Sequence, residues 1–193
     1  ATLNGRQCGS FGDYAAISYN GNKIMRPAST QKLITAVAAL DYLGADCEYV
    51  TSAYISGKVE NGVLNGDVYV VGGFDPAFNS GDLRRLARAI SNEGIKRING
   101  KVYGDVSMKD TLIWGQGWCW DDAPSESEPY LTPLVLNRGC VTVSSGPGNK
   151  PMLEPSTSFV ELQDRTGNGG RFKATRNWVS NGNIITASGN MKR

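Results

Sequence analysis

The sequence predicts an α+β chain in two parts: a hairpin plus a helix over residues 1–48, then a strand-rich mixed α/β part over residues 49–193. Three observations carry this. Residues 26–44, RPASTQKLITAVAALDYLG, hold one uninterrupted helical pattern. From Val50 onward, short β-branched and aromatic runs alternate with Gly, Asn and Pro. Glycine is 24 of 193 residues, well above the usual share of roughly 7%, which favours turns and short strands over long helices.

Taken in order, Tyr14–Ser18 and Lys23–Met25 flank Asn20-Gly21, a dipeptide suited to the positive φ values of a tight hairpin. In the helix that follows, Pro27 fits the first turn and Gly44 a left-handed C-terminal cap. Its apolar residues Leu33, Ile34, Ala36, Val37, Ala38, Ala39, Leu40 and Leu43 cover nearly the whole circumference, the pattern of a helix packed on several sides. Next, VTSAYISGKV and VLNGDVYVVGG read as strands joined at Glu60-Asn61-Gly62. An amphipathic helix fits Gly81–Glu93, with Leu83, Leu86, Ala87 and Ile90 on one face and Gly94 as cap. Further strands are expected at Ile98–Val102, Leu134–Leu136, Val141–Val143, Phe159–Leu162, Arg171–Ala174 and Ile184–Ala187.

Composition narrows the chemistry. Lys plus Arg is 20 and Asp plus Glu is 18, a net charge of +2 that gives no electrostatic footprint for nucleic acid. Histidine is absent, so Ser-His-Asp triads, Cys-His dyads and imidazole metal sites are excluded, and a general base has to be Lys, Asp, Glu or Tyr. The four cysteines, Cys8, Cys47, Cys119 and Cys140, show no C-x-x-C spacing. They permit two disulfides in an oxidising compartment, with Cys8–Cys47 as one pairing, or equally stand as free buried thiols. No apolar run is long enough to span a membrane, and the chain begins at Ala1 without a signal-peptide pattern, as a processed or trimmed start would.

The chemistry concentrates in Ser29-Thr30-Gln31-Lys32, an S-x-x-K at the start of the apolar helix. Residues i and i+3 share a helical face with Cβ atoms about 5–6 Å apart, so the Lys32 amine can reach the Ser29 hydroxyl. An amine serves as a base near neutral pH where burial disfavours its charged form, which an enclosed helix offers. The helix N-terminus adds N–H groups and partial positive charge suited to an oxyanion. S-x-x-K is short enough to occur by chance, and its weight comes from this position.

RPASTQKLITAVAALDYLG resembles the nucleophile segment of class C low-molecular-mass penicillin-binding proteins, the D-alanyl-D-alanine carboxypeptidases and endopeptidases. The likeness continues through LNGDVYVVGGFDPAF, DLRRLARAISNEGIKRINGKVYGD, WGQGWCWDD and LVLNRGCVTVSSGPG, which resemble the insert that follows the nucleophile helix in that family. One departure is Phe74, where the family usually shows a second glycine before Asp75-Pro76. The resemblance implies a β-lactamase/transpeptidase-like segment at 1–48 and the insert at 49–193. It implies Ser29 as the acylated nucleophile and Lys32 as its base, acting on peptidoglycan stem peptides ending in D-Ala-D-Ala, without a cofactor. β-Lactam antibiotics would acylate the same serine, and the protein would be exported to the periplasm or cell envelope.

The family also uses an S-x-N element and a K-T-G strand. No lysine here begins K-T-G or K-S-G, and Ser18-Tyr19-Asn20 and Ser188-Gly189-Asn190 stand in the wrong context for the former. The chain therefore reads as the N-terminal portion of such an enzyme, inactive alone, whose Pro27–Leu43 helix would bury itself in partner subunits or repacked strands as a homo-oligomer. The alternative is a non-catalytic peptidoglycan-binding or scaffolding module.

Elsewhere, Trp114, Trp118 and Trp120 read as core or interface packing more readily than as a sugar-stacking platform. Asp121 and Asp122, or Asp75 nearby, make a poor glycosidase pair, because neighbours on a strand point to opposite faces. Asp75-Pro76 reads as a turn, and Arg84, Arg85 and Arg88 as a wet helix face with at most a minor contact to acidic polymers.

Overall fold

A computed structural model describes residues 2–3, 6–7, 23–119, 122, 125–177 and 182–191. The chain divides into two compact units, Ala1–Glu48 and Tyr49–Arg193.

In the first unit, β1 (Thr2–Leu3) pairs antiparallel with β2 (Arg6–Gln7). The hairpin expected at Tyr14–Ser18 and Asn20-Gly21 lies outside the described residues, and Lys23–Met25 carries no strand. A 3₁₀ turn, Ala28–Thr30, leads into α1 (Gln31–Leu43). Pro27 sits just ahead of that turn with helical angles, φ −70° and ψ −23°, as its fixed φ favours. Gly44 closes α1 with its N–H on the Leu40 carbonyl at 3.1 Å. Its angles are φ 82° and ψ 166°, so the cap is extended at positive φ instead of left-handed helical, a region that only glycine enters freely. The expectation of a helix packed on several sides is not met: every residue from Lys23 to Val50 is exposed, because among the described residues nothing covers the apolar circumference. Cys47, just past α1, is a free and exposed thiol, so the pairing with Cys8 is not formed, and Cys8 itself lies outside the described residues.

The second unit opens with β3 (Ser52–Ile55), β4 (Lys58–Glu60), β5 (Val63–Asn65) and β6 (Val68–Val71). Asn61 (φ 51°) and Gly62 (φ 79°) form the two-residue turn that joins β4 to β5, as their side chains predict. Each of the two expected strands is broken once, at Ser56-Gly57 and at Gly66-Asp67, so that β3 pairs with β6 in one sheet and β4 with β5 in another. The backbones cross tightly there: a Cβ on Gly57 would lie 2.2 Å from the Asn65 carbonyl oxygen, and one on Gly66 would lie 1.8 Å from that of Ser56.

After α2 (Ser80–Asn92) the chain returns as β7 (Arg97–Ile98), parallel to β5, and β8 (Val102–Asp105), parallel to β6. The single strand expected at Ile98–Val102 is thus divided between both sheets. Leu64, Val68 and Ile95 are buried together, with Ile98 and Ile90 of α2 against them; of the rest of the α2 stripe, Leu86 is half-buried and Leu83 and Ala87 are exposed. That helix starts one residue earlier than its stripe indicates, because Asn79 and Asp82 form a reciprocal capping box.

Leu134–Leu136 forms no strand and runs instead into a 3₁₀ turn at Asn137–Gly139. Beyond it, β9 (Thr142–Ser145) pairs antiparallel with β10 (Pro151–Glu154), a strand that is not among those expected from the sequence. Pro151 is the first residue of a strand in a two-stranded ladder, where its missing N–H is tolerated. Last come β11 (Glu161–Arg171), β12 (Lys173–Arg176) and β13 (Ile184–Asn190), with β13 central, parallel to β11 and antiparallel to β12. Among the described residues the α+β class holds: two α-helices and small mixed sheets.

Candidate active site

Ser29 lies in the 3₁₀ turn and Lys32 in the first turn of α1. Three residues of helical path bring them onto one side, and the Lys32 Nζ donates to the Ser29 Oγ at 3.1 Å. Thr30 does not cap the helix. Its hydroxyl and its N–H both turn back to the Pro27 carbonyl, which ties the nucleophile turn to the proline. Ala28, immediately before Ser29, holds φ 44°, a left-handed backbone that costs a Cβ-bearing residue about 1–2 kcal/mol. The serine therefore leaves a sharp corner and enters a helix, with the Thr30 N–H on the Pro27 carbonyl and the Gln31 N–H on those of Ala28 and Ser29.

The arrangement supplies a hydroxyl, an amine in hydrogen-bonding reach of it and the positive end of a helix dipole. It does not supply burial, since both residues are exposed. Water screens the field of the helix end, so this exposed pair lacks the low-dielectric surroundings in which that field acts strongly.

The remaining sequence candidates fall elsewhere. Ser188-Gly189-Asn190 ends β13, and Ser18-Tyr19-Asn20 lies outside the described residues. Trp114 packs edge-on against Trp118 with ring centres 4.7 Å apart and tilted against Tyr130 at 5.8 Å, so these rings are used on one another. Trp120 and Asp121 lie outside the described residues. Asp122 closes a local turn by accepting from the Cys119 N–H at 2.6 Å, and Asp75 does the same for Ala77 at 2.8 Å. Phe74 has φ 62°, a conformation natural to the glycine that the resembled family carries at this place. Arg84, Arg85 and Arg88 are exposed on α2, with Arg85 paired to Asp82.

The model of the D-Ala-D-Ala carboxypeptidase 3 (S13) family matches residues 11–192. The chain belongs to that family. It is 39% identical over 104 residues to the D-alanyl-D-alanine carboxypeptidase DacB of Haemophilus influenzae, covering 54% of this chain and 22% of that protein. It is 32% identical over 123 residues to a D-alanyl-D-alanine carboxypeptidase of Actinomadura sp., covering 63% of this chain and 23% of the relative. The chain thus spans less than a quarter of the length of these two relatives. The crystal structure of penicillin binding protein 4 (dacB) from Haemophilus influenzae superposes with a TM-score of 0.64 at 26% identity, over 92% of this chain and 41% of that one. A second crystal structure of that protein, complexed with a novel beta-lactam, matches at 24% identity with a TM-score of 0.53, over 91% of this chain and 38% of that one, and speaks to the fold alone. The resemblance to low-molecular-mass penicillin-binding proteins seen in the residues holds across the S13 match.

Proposed function

We propose that this chain carries the nucleophile segment of a serine D-Ala-D-Ala carboxypeptidase, with residues 1–48 as part of its transpeptidase-like domain and residues 49–193 as its insert. The observation that carries the proposal is the 3.1 Å approach of Lys32 Nζ to Ser29 Oγ at the start of α1. When the amine is neutral, it accepts the serine proton as Oγ attacks the carbonyl carbon of the penultimate D-Ala in a stem peptide. The C–N bond breaks, the terminal D-Ala leaves with that proton, and water then hydrolyses the Ser29 ester. A β-lactam carbonyl is attacked by the same oxygen and opens in place of the peptide bond. S-x-N and K-T-G elements would complete proton relay, carboxylate grip and oxyanion hole. The names of the two curated relatives and the S13 match support this chemistry, and they support a place at the periplasm or cell envelope.

One observation favours a second possibility, a non-catalytic peptidoglycan-binding or scaffolding module: Ser29 and Lys32 are both exposed. Fluorescent penicillin with peptide mapping separates the two. Stable label on Ser29 in the longest protein the gene encodes, lost in Ser29→Ala, supports the enzyme. Glycan binding without any label on Ser29 supports the module.

A further inference from the structure

The 3.1 Å contact between Lys32 Nζ and Ser29 Oγ spans the junction of two elements, because Ser29 belongs to the 3₁₀ turn and Lys32 to α1. Its length therefore depends on how the turn is set against the helix. Two residues make that setting delicate. Ala28 lies at φ 44°, which its Cβ disfavours, so the corner has to be held by bonds across it. Pro27, just before, has its φ of −70° fixed by the ring, whereas its ψ of −23° is free to rotate and aims the Pro27 carbonyl.

Thr30 stands at the junction with helical angles, φ −64° and ψ −21°, and closes the corner. Its N–H reaches the Pro27 carbonyl at 3.1 Å, a bond open to any residue but proline. Its hydroxyl donates to the same oxygen, and this bond needs the side chain. Threonine suits it, because a branched Cβ leaves few rotamers and one of them puts Oγ1 on the carbonyl three residues back. Together the two bonds fix the direction of the Pro27 carbonyl, hence ψ of Pro27, hence the corner from which Ser29 departs. The hydroxyl is spent on Pro27 and not on Ser29 or Lys32, so it acts through the backbone.

We propose that Thr30 is a positioning residue for acylation, whose hydroxyl holds Ser29 Oγ within reach of Lys32. The proposal rests on the reading of Ser29 as nucleophile and Lys32 as base, and gives a task to the second residue of the S-x-x-K run. Attack requires aligned atoms, and a misplacement of about 1 Å can cost about 10²-fold in rate. Valine at position 30 keeps the shape and the N–H and removes only the hydroxyl bond. Serine keeps the hydroxyl and gives up the branch.

The test is stopped-flow acylation of the full-length protein by a fluorescent penicillin, which separates the dissociation constant of the first complex from the acylation rate constant. Thr30→Val should acylate about tenfold more slowly, with a dissociation constant within about twofold of wild type. Its rate should rise with pH at the wild-type midpoint, since no charge is added or removed. Thr30→Ser should come within about threefold of the wild-type rate. Ala28→Gly added to Thr30→Val should return part of the lost rate, because glycine takes φ 44° without strain. Ala28→Val penalises positive φ and leaves Thr30 in place, so it should slow acylation in the same way, and it decides the matter if Thr30→Val does not fold. A Thr30→Val rate within about twofold of wild type, a shifted pH midpoint or a loss confined to the dissociation constant overturns the proposal. So does a double variant slower than Thr30→Val, or Ala28→Val at the wild-type rate. Absence of label on Ser29 in the wild type is a different result, which removes the nucleophile reading itself and the proposal with it.

Discussion

Lys32 Nζ reaches Ser29 Oγ at 3.1 Å across one turn, in a segment where every residue is exposed. Distance and environment are therefore separate properties of this pair. Local helix geometry sets the first, and only surrounding protein can set the second.

If Lys32 is the base, Lys32→Ala in the full-length protein slows acylation by a fluorescent β-lactam by about 10²–10⁴-fold, the usual contribution of a positioned base. Ser29→Ala abolishes labelling. A Lys32→Ala rate within tenfold of wild type would remove lysine from the mechanism.

The 193-residue chain alone should release no measurable D-Ala from a D-Ala-D-Ala peptide. An exposed pair loses the electrostatic advantage of a water-excluded site, and each missing oxyanion donor costs about 10²–10³-fold. Turnover above the buffer background, checked by a coupled D-amino-acid assay, would contradict this.

The apolar face of α1 should drive self-association of the isolated chain. Leu33, Ile34, Val37 and Leu40 are each 61–70% exposed and adjacent on the helix, a contiguous patch of the kind that marks contacts. Light scattering should show oligomers that the double substitution Leu33→Glu with Val37→Glu returns to monomer. A wild-type monomer that binds no hydrophobic dye would refute the idea.

Gly66 and Gly94 separate two reasons for glycine. Gly94→Ala meets nothing within 4 Å and pays only for φ 86°, about 1–2 kcal/mol. Gly66→Ala would press a methyl to 1.8 Å from the Ser56 carbonyl oxygen, so the strand crossing has to open and the loss should exceed that of Gly94→Ala by at least about 1 kcal/mol. Urea unfolding of the two variants decides the order.

Asn137→Ala should destabilise by about 2–4 kcal/mol, since it removes both side-chain bonds to Ser80 and leaves an alanine in left-handed backbone. Asn79→Ala, which loses only a helix cap, should cost about 1 kcal/mol. Equal midpoints for the two variants would show that the turn does not depend on Asn137.

What the sequence determined by itself was local: the Ser29–Lys32 spacing, the Asn61-Gly62 turn, the stripe of α2 and the order of family motifs, each set by neighbours within a few residues. The capping box at Asn79 and Asp82 was equally local and legible, though the apolar stripe drew the helix start to Gly81. Only the tertiary structure decided where strands break and whom they join. Gly57, Gly66 and Gly100 divide continuous β patterns between two sheets, because backbones from distant segments approach too closely there for any side chain. It also decided that α1 is exposed among the described residues, since a hydrophobic circumference demands cover but cannot specify which part of a protein provides it.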